Sequence, residues 1–250
     1  LLNPTEDQST APLKSILADL ATRLEGSADS KTEASAAARL RLVALVTTDP
    51  AYRESVEPHR EDIMAAVIRC QQLYSQQPPA KDARPKWLAP LMLIADSLVS
   101  IQNVPTPTTI LPEGEEVPVV ELVAQGPAWD AERKALFGLA MDVLEKGVST
   151  RELFISTARL LLVLTRDHDL ATEFVQRDGL KTLFAAFASD SPETKGCHSY
   201  AVMILRHIIE DKAILRPMIE REIEIWFGNS RSKVRLASSV IAPSFSPLLR

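Results

Sequence analysis

The sequence has few aromatic residues (5%), only two cysteines and only four histidines. With so few aromatics, Leu, Ala, Val and Ile must supply the core, which suits helix-on-helix packing better than an aromatic-rich β-sandwich. Cys70 and Cys197 fall in predicted helices and read as buried, reduced thiols rather than a disulfide framework. Cys197 and His198 are adjacent, so on a helix they point about 100° apart and are poorly placed to share one metal. Long hydrophobic runs are also missing. The most apolar block, Leu160–Leu164, is flanked by Arg159 and Arg166 and falls far short of the roughly 18–20 residues that span a bilayer. No secretory pattern is visible, and the chain opens Leu1-Leu2-Asn3-Pro4 without Met, so we expect a piece of a longer protein. A formal charge of −5 lacks the basic footprint of a dedicated nucleic-acid binder. No membrane partner is therefore expected, and nucleic acid is a disfavoured partner for this segment; a cytoplasmic and/or nuclear location is expected.

What is present is helix punctuation. The 250 residues are 46% apolar and 24% charged, ordinary for a folded chain able to bury a sizeable core. Gly26, Gly147, Gly179, Gly196 and Gly228 sit where apolar helical periods end or restart. Pro12, Pro50, Pro58 and Pro127 fall near helix starts, and Asp49 and Asp167 offer capping carboxylates. The pattern predicts helices near 12–25, 33–47, 50–55, 58–76, 86–101, 129–146, 150–165, 168–176, 179–188, 194–209 and 211–227. The helix from Leu153 to Leu164 is apolar around most of its circumference and should be sandwiched between neighbours, with Leu162 expected in a buried middle layer. Residues 76–85 read as a polar loop. Residues 102–127, with five prolines and the run Glu113-Gly114-Glu115-Glu116, read as a disordered tether. The chain thus divides into N-terminal helical repeats over 1–101, the tether over 102–127, and C-terminal repeats over 128–250.

The helices repeat. Ala38-Arg39-Leu40-Arg41-Leu42-Val43 lies close to Ala158-Arg159-Leu160-Leu161-Leu162-Val163. Glu54-Ser55-Val56 matches Glu173-Phe174-Val175, and Ile63-Met64-Ala65-Ala66-Val67 matches Leu183-Phe184-Ala185-Ala186-Phe187. A fainter third copy puts Ala201 and Leu205 in the places of Ala158 and Leu162, and Glu210-Asp211 in that of Asp167-His168. Its spacing suits the roughly 40–47-residue period of HEAT and armadillo units. Such units each expose an apolar face that the neighbour covers. The fold class is therefore all-α, an armadillo/HEAT-like helical-repeat solenoid with a proline-rich disordered insert.

Catalytic and ligand-binding patterns are missing. His59, His168, His198 and His207 form no zinc-ligand spacing, and there is no Gly-x-Ser-x-Gly elbow, phosphate loop or dinucleotide glycine pattern. His168 beside Asp167 and Asp169 is explained by capping, and His207 among Leu205, Ile208 and Ile209 by partial burial. Arg216 and Glu220-Arg221-Glu222-Ile223-Glu224 read as a solvated helix face with i,i+4 pairing, or less plainly as an acidic patch for a basic partner. Arg231, Lys233 and Arg235 lack interleaved aromatics and read as a polar loop. Trp226-Phe227 are expected to close the preceding helix against the core; the alternative is a protruding anchor for a partner. No catalytic, cofactor-binding or metal-ligating residue is assigned, and no cofactor is expected.

Residues from Phe137 to Phe227 resemble the armadillo-like, non-catalytic region of the giant HECT-type E3 ubiquitin ligases of fungi and animals. The resemblance rests on Ala158-Arg159-Leu160-Leu161, on Glu173-Phe174-Val175-Gln176-Arg177-Asp178-Gly179-Leu180, and on Ile204-Leu205-Arg206-His207-Ile208-Ile209-Glu210-Asp211 followed by Met218-Ile219-Glu220-Arg221-Glu222-Ile223. The run Arg206–Asp211 is the most specific; Phe174-Val175 before Gly179-Leu180 is common to armadillo proteins. The resemblance implies a very large ubiquitin-protein transferase whose catalytic lobe lies outside this segment, and neither Cys70 nor Cys197 matches its cysteine motif. It further implies a scaffold that positions substrates or other segments of the same ligase. A free-standing armadillo or HEAT adaptor, and an enzyme with a site assembled from distant residues, are the competing expectations.

Overall fold

The computed structural model describes residues 30–49, 52, 56–76, 84–101, 129–188 and 192–240. The predicted helix at 12–25, nearly all of that at 50–55, and the tether at 102–127 lie outside the described residues. Within them every regular element is helical: α1 Ser30–Thr48, a 3-10 turn Glu57–His59, α2 Arg60–Gln76, α3 Leu88–Ile101, α4 Asp130–Glu145, α5 Arg151–Leu164, α6 His168–Gln176, α7 Gly179–Ala188, α8 His198–Glu210 and α9 Lys212–Val240.

The helices form two layers. In one, α1 packs on α3, α3 on α5 and α5 on α8; in the other, α2 packs on α4, and α4 on α6 and α7. Contacts of α2 with α3, α4 with α5, α7 with α8 and α8 with α9 join the layers, and α9 also touches α6. One continuous core results. It runs from Leu40 and Val43 through Leu91, Met92, Phe137, Phe154, Leu160, Leu161 and Phe174 to Ile204 and Ile208, all buried.

The reason α5 sits at the centre is legible in its side chains. Leu153, Phe154, Ala158, Leu160, Leu161, Val163 and Leu164 are buried on several faces, so neighbours are needed all round. Its buried hydroxyls stay satisfied: Ser156 and Thr157 both donate to the Leu153 carbonyl, at 3.0 and 2.7 Å. Leu162 differs from expectation. It is only half-buried, and Leu160, Leu161 and Leu164 carry the buried face instead.

Polar ties close the layers. Ser97 Oγ donates to the Thr47 carbonyl at 2.6 Å, satisfying one of the carbonyls left over at the end of α1. Arg60, itself buried, donates to the Leu98 carbonyl at 3.2 Å and to Glu57 at 2.8 Å, and its guanidinium lies 5.1 Å from the centre of the Trp129 ring. Arg159 pairs with buried Asp96 at 2.8 Å, fastening α5 to α3. Burial pushes the Asp96 carboxyl above the ordinary aspartate value, and the Arg159 charge pulls against that shift.

Two helix junctions follow the expected punctuation. Asp167 caps α6 by accepting from the Asp169 and Leu170 amides at 3.0 and 3.3 Å, and Thr150 caps α5 by accepting from Leu153 N at 3.2 Å. Asp178 turns left-handed (φ 54) to end α6. Gly179 is required for clearance: a Cβ there would stand 2.5 Å from the buried Phe174 ring.

Two junctions differ. The helix expected from 194 begins at His198, because residues 192–196 form turns and Gly196 takes φ 76. Cys197 is thus the residue capping α8 rather than a helical one. The last helix, expected to stop at 227, continues through Gly228 to Val240. A glycine within a helix costs only about 1 kcal/mol, which α9 tolerates.

Candidate functional site

The titratable residues are dispersed along structural joints. His168 Nδ1 meets Asp211 Oδ2 at 2.5 Å, joining the start of α6 to the α8–α9 break. That contact raises the His168 pKa and lowers that of Asp211. His207 Nδ1 lies 3.2 Å from Thr165 Oγ1, and burial with the nearby Arg166 charge holds its pKa below the ordinary histidine value. His198 stacks on Phe187 with ring centres 4.7 Å apart. His59 is half-buried beside the 3-10 turn. Capping, stacking and packing thus account for His168, His198 and His207.

Cys70 and Cys197 are both buried and unpaired, as expected of inert thiols. Burial pushes the Cys70 thiol up to about 11, so it carries almost no thiolate at neutral pH. Among the described residues no group of three or more His, Cys, Asp or Glu could hold a metal. Among them, too, no helix is long and apolar enough to cross a membrane.

The surface feature that stands apart is an apolar groove of about 1160 Å³ between α6–α7 and α9. Val175, Leu180 and Phe184 line one side; Ile214, Met218, Ile219, Ile223 and Trp226 line the other. Only the first turns of α9 pack down, with Ile214 buried and Met218 half-buried. From Ile219 to Gly228 every residue is exposed. Trp226 is 65% and Phe227 54% exposed, so they do not close the helix against the core. They contact each other edge-on at 5.0 Å instead.

Sequence reading named Trp226 and Phe227 but not the groove. Its other wall comes from α6 and α7, and no spacing along the chain connects Phe184 to Ile223. The expected i,i+4 pair is present, with Arg216 Nε 2.9 Å from Glu220. Arg231, Lys233 and Arg235 lie on α9 rather than in a loop, and their side chains lie outside the described residues.

The chain is 29% identical over 201 residues to a protein named E3 ubiquitin-protein ligase TOM1-like, from Neurospora crassa. The alignment covers 76% of this chain and 5% of that ligase, so the chain corresponds to a small part of the relative's length. No family model matches, and no solved structure matches. The chain, helical in all its regular elements among the described residues, is thus similar to a segment of an E3 ubiquitin ligase.

Proposed function

We propose that this chain is a non-catalytic scaffold segment of a HECT-type E3 ubiquitin ligase, folded as an armadillo/HEAT-like solenoid that positions protein substrates or other ligase segments. The observation that carries the proposal is the similarity of three quarters of the chain to a small stretch of the Neurospora crassa ligase. Catalysis belongs to a lobe elsewhere in the longer protein, and this segment supplies spacing and surface. It works in the cytoplasm and/or nucleus.

Support for the repeat comes from contacts at the repeat spacing. His168 meets Asp211 43 residues later, and Thr165 meets His207 42 residues later, so the break within one unit rests on the end of the next. Ala158 and Ala201, equivalent in the two units, are 1% and 3% exposed, and Leu162 and Leu205 are both half-buried. Helix pairs α1–α2, α3–α4, α5 with α6–α7, and α8–α9 would be the units, each with one member per layer. In this arrangement 102–127 is a tether between the repeats of 1–101 and 128–250. Arg60 touches both the Leu98 carbonyl and the Trp129 ring, so the chain leaves and re-enters the stack at one place.

The test is ubiquitin transfer. Full-length protein incubated with activating enzyme, conjugating enzyme and ubiquitin should form a reductant-sensitive ubiquitin thioester, whereas the 250-residue chain should form none. A full-length protein that never accepts ubiquitin refutes the proposal.

A further inference from the structure

The apolar groove has a wedge in one of its walls. Pro217 lies inside α9. A proline there cannot donate to the carbonyl four residues back, that of Ala213, and its ring crowds the same carbonyl. Ala213 and Pro217 both line the groove and both are exposed, so the crowding falls on the groove side of α9. Turns pushed apart on one side bend a helix away from that side. Before Pro217 the helix is packed down, with Ile214 buried; from Ile219 to Gly228 it is exposed.

The two walls match each other. Ile219, Ile223 and Trp226 are spaced four and three residues apart, so they share one face of α9, and all three line the groove. Across from them stand Val175, Leu180 and Phe184, the last 46% exposed. Each wall also carries one charge of each sign, Asp178 and Lys181 on one and Arg221 and Glu222 on the other, so bringing them together meets no net repulsion. Apolar faces that look at each other across solvent gain by meeting. The bend at Pro217 keeps these two apart.

We propose that Pro217 wedges the groove open and that α9 is a hinged wall. Without the wedge, residues 218–228 swing onto α6 and α7, and Ile219, Ile223 and Trp226 seat on Val175, Leu180 and Phe184. The chain thus has an open state that presents both apolar walls and a closed state that buries them against each other. The proline sets the balance towards the open one. The device lies wholly within this segment and does not depend on the ligase reading.

Amide hydrogen exchange and acrylamide quenching on the 250-residue chain and its Pro217→Ala variant test this. In the variant, residues 218–228 and also 180–184 should exchange at least ten-fold more slowly. Trp226 fluorescence, read as the difference from Trp226→Phe, should become shielded from acrylamide. Adding Phe184→Ser, at an exposed position, should return residues 180–184 and Trp226 to their original values. Removing the proline also restores a helical rung, which by itself slows exchange in 218–228. Slowing there with 180–184 and Trp226 unchanged would therefore overturn the proposal. So would an unaltered chain already shielded at Trp226, since the wedge would then hold nothing open. Protection that grows with protein concentration, with dimers in sedimentation, would overturn it too, because a second copy would be covering the walls.

Discussion

Helices α5 and α9 both carry runs of apolar residues, yet α5 is enclosed along most of its length and α9 is exposed beyond its first turns. α5 has α3 and α8 beside it in its own layer and α4 across from it. α9 has α6 and α8 against its first turns and exposed residues from Ile219 to Gly228. α5 is the more apolar of the two, and it also has neighbours on more sides. A helix packed on several sides buries its apolar residues, whereas α9 leaves those from Ile219 onward exposed.

The sharpest way to break this comparison is to truncate one aromatic in each helix. Phe154, fully buried and edge-on to Phe187 at 5.4 Å, should lose about 3–5 kcal/mol as Phe154→Ala. Trp226→Ser in the 250-residue chain should stay within about 0.5 kcal/mol, since the ring is 65% exposed and its edge-on neighbour Phe227 is itself exposed. Urea unfolding of the two variants checks the contrast, and equal losses would mean that α9 is as firmly held as α5.

The Asp96–Arg159 pair between α3 and α5 gives the next effect. Arg159→Ala leaves a buried carboxylate without its partner and should cost about 1–3 kcal/mol, less than a fully buried pair because Arg159 is 41% exposed. The Asp96 carboxyl is already raised by burial, so the neutral fold is favoured and stability falls as pH rises from the ordinary aspartate value through the raised one. Asp96→Asn should therefore be close to neutral and flatten that pH dependence in thermal melts. At the α6–α7 junction, Gly179→Ala drives a methyl into Phe174 and should cost about 1–3 kcal/mol in the same assay.

The smallest effects belong to the two histidines at the joint of α5 and α6 with α8, His168 and His207, and they have opposite signs. His168 is raised by Asp211, so its contribution is complete below the ordinary histidine value and is lost as pH rises through the raised one. His207 is lowered by burial and Arg166, so its contribution is present above the ordinary value and is lost as pH falls through the lowered one. Imidazole titration by NMR should find His168 above and His207 below the ordinary value. Asp211→Asn should bring His168 back towards it and leave His207 nearly unmoved.

Much of the helical order was legible because this sequence writes its junctions in short-range chemistry. Residues 168–176 and 179–188 were predicted at their observed limits, since Asp167 caps one helix and Asp178-Gly179 divides it from the next. Where the limits moved, the deciding contact was distant or the local penalty small. Thr194 is buried with its hydroxyl 3.4 Å from the Ala186 carbonyl, so the turn before α8 depends on α7. Gly228 was read as a stop although a helix can carry it. Leu162 was placed in the core from its apolar neighbours alone, yet which side of α5 is covered is decided by α3, α4 and α8. The same limit hid the groove: Trp226 and Phe227 look like core residues until the neighbouring helices are placed and none of them covers the pair.

The central claim, that this segment holds proteins in place while chemistry happens elsewhere, is tested most directly by excising residues 30–240 from the full-length protein and following ubiquitin in two pools. The thioester on the ligase should form as before, while ubiquitin transferred to captured substrate proteins should fall at least ten-fold. Loss of the thioester itself, or undiminished substrate modification, would contradict the account.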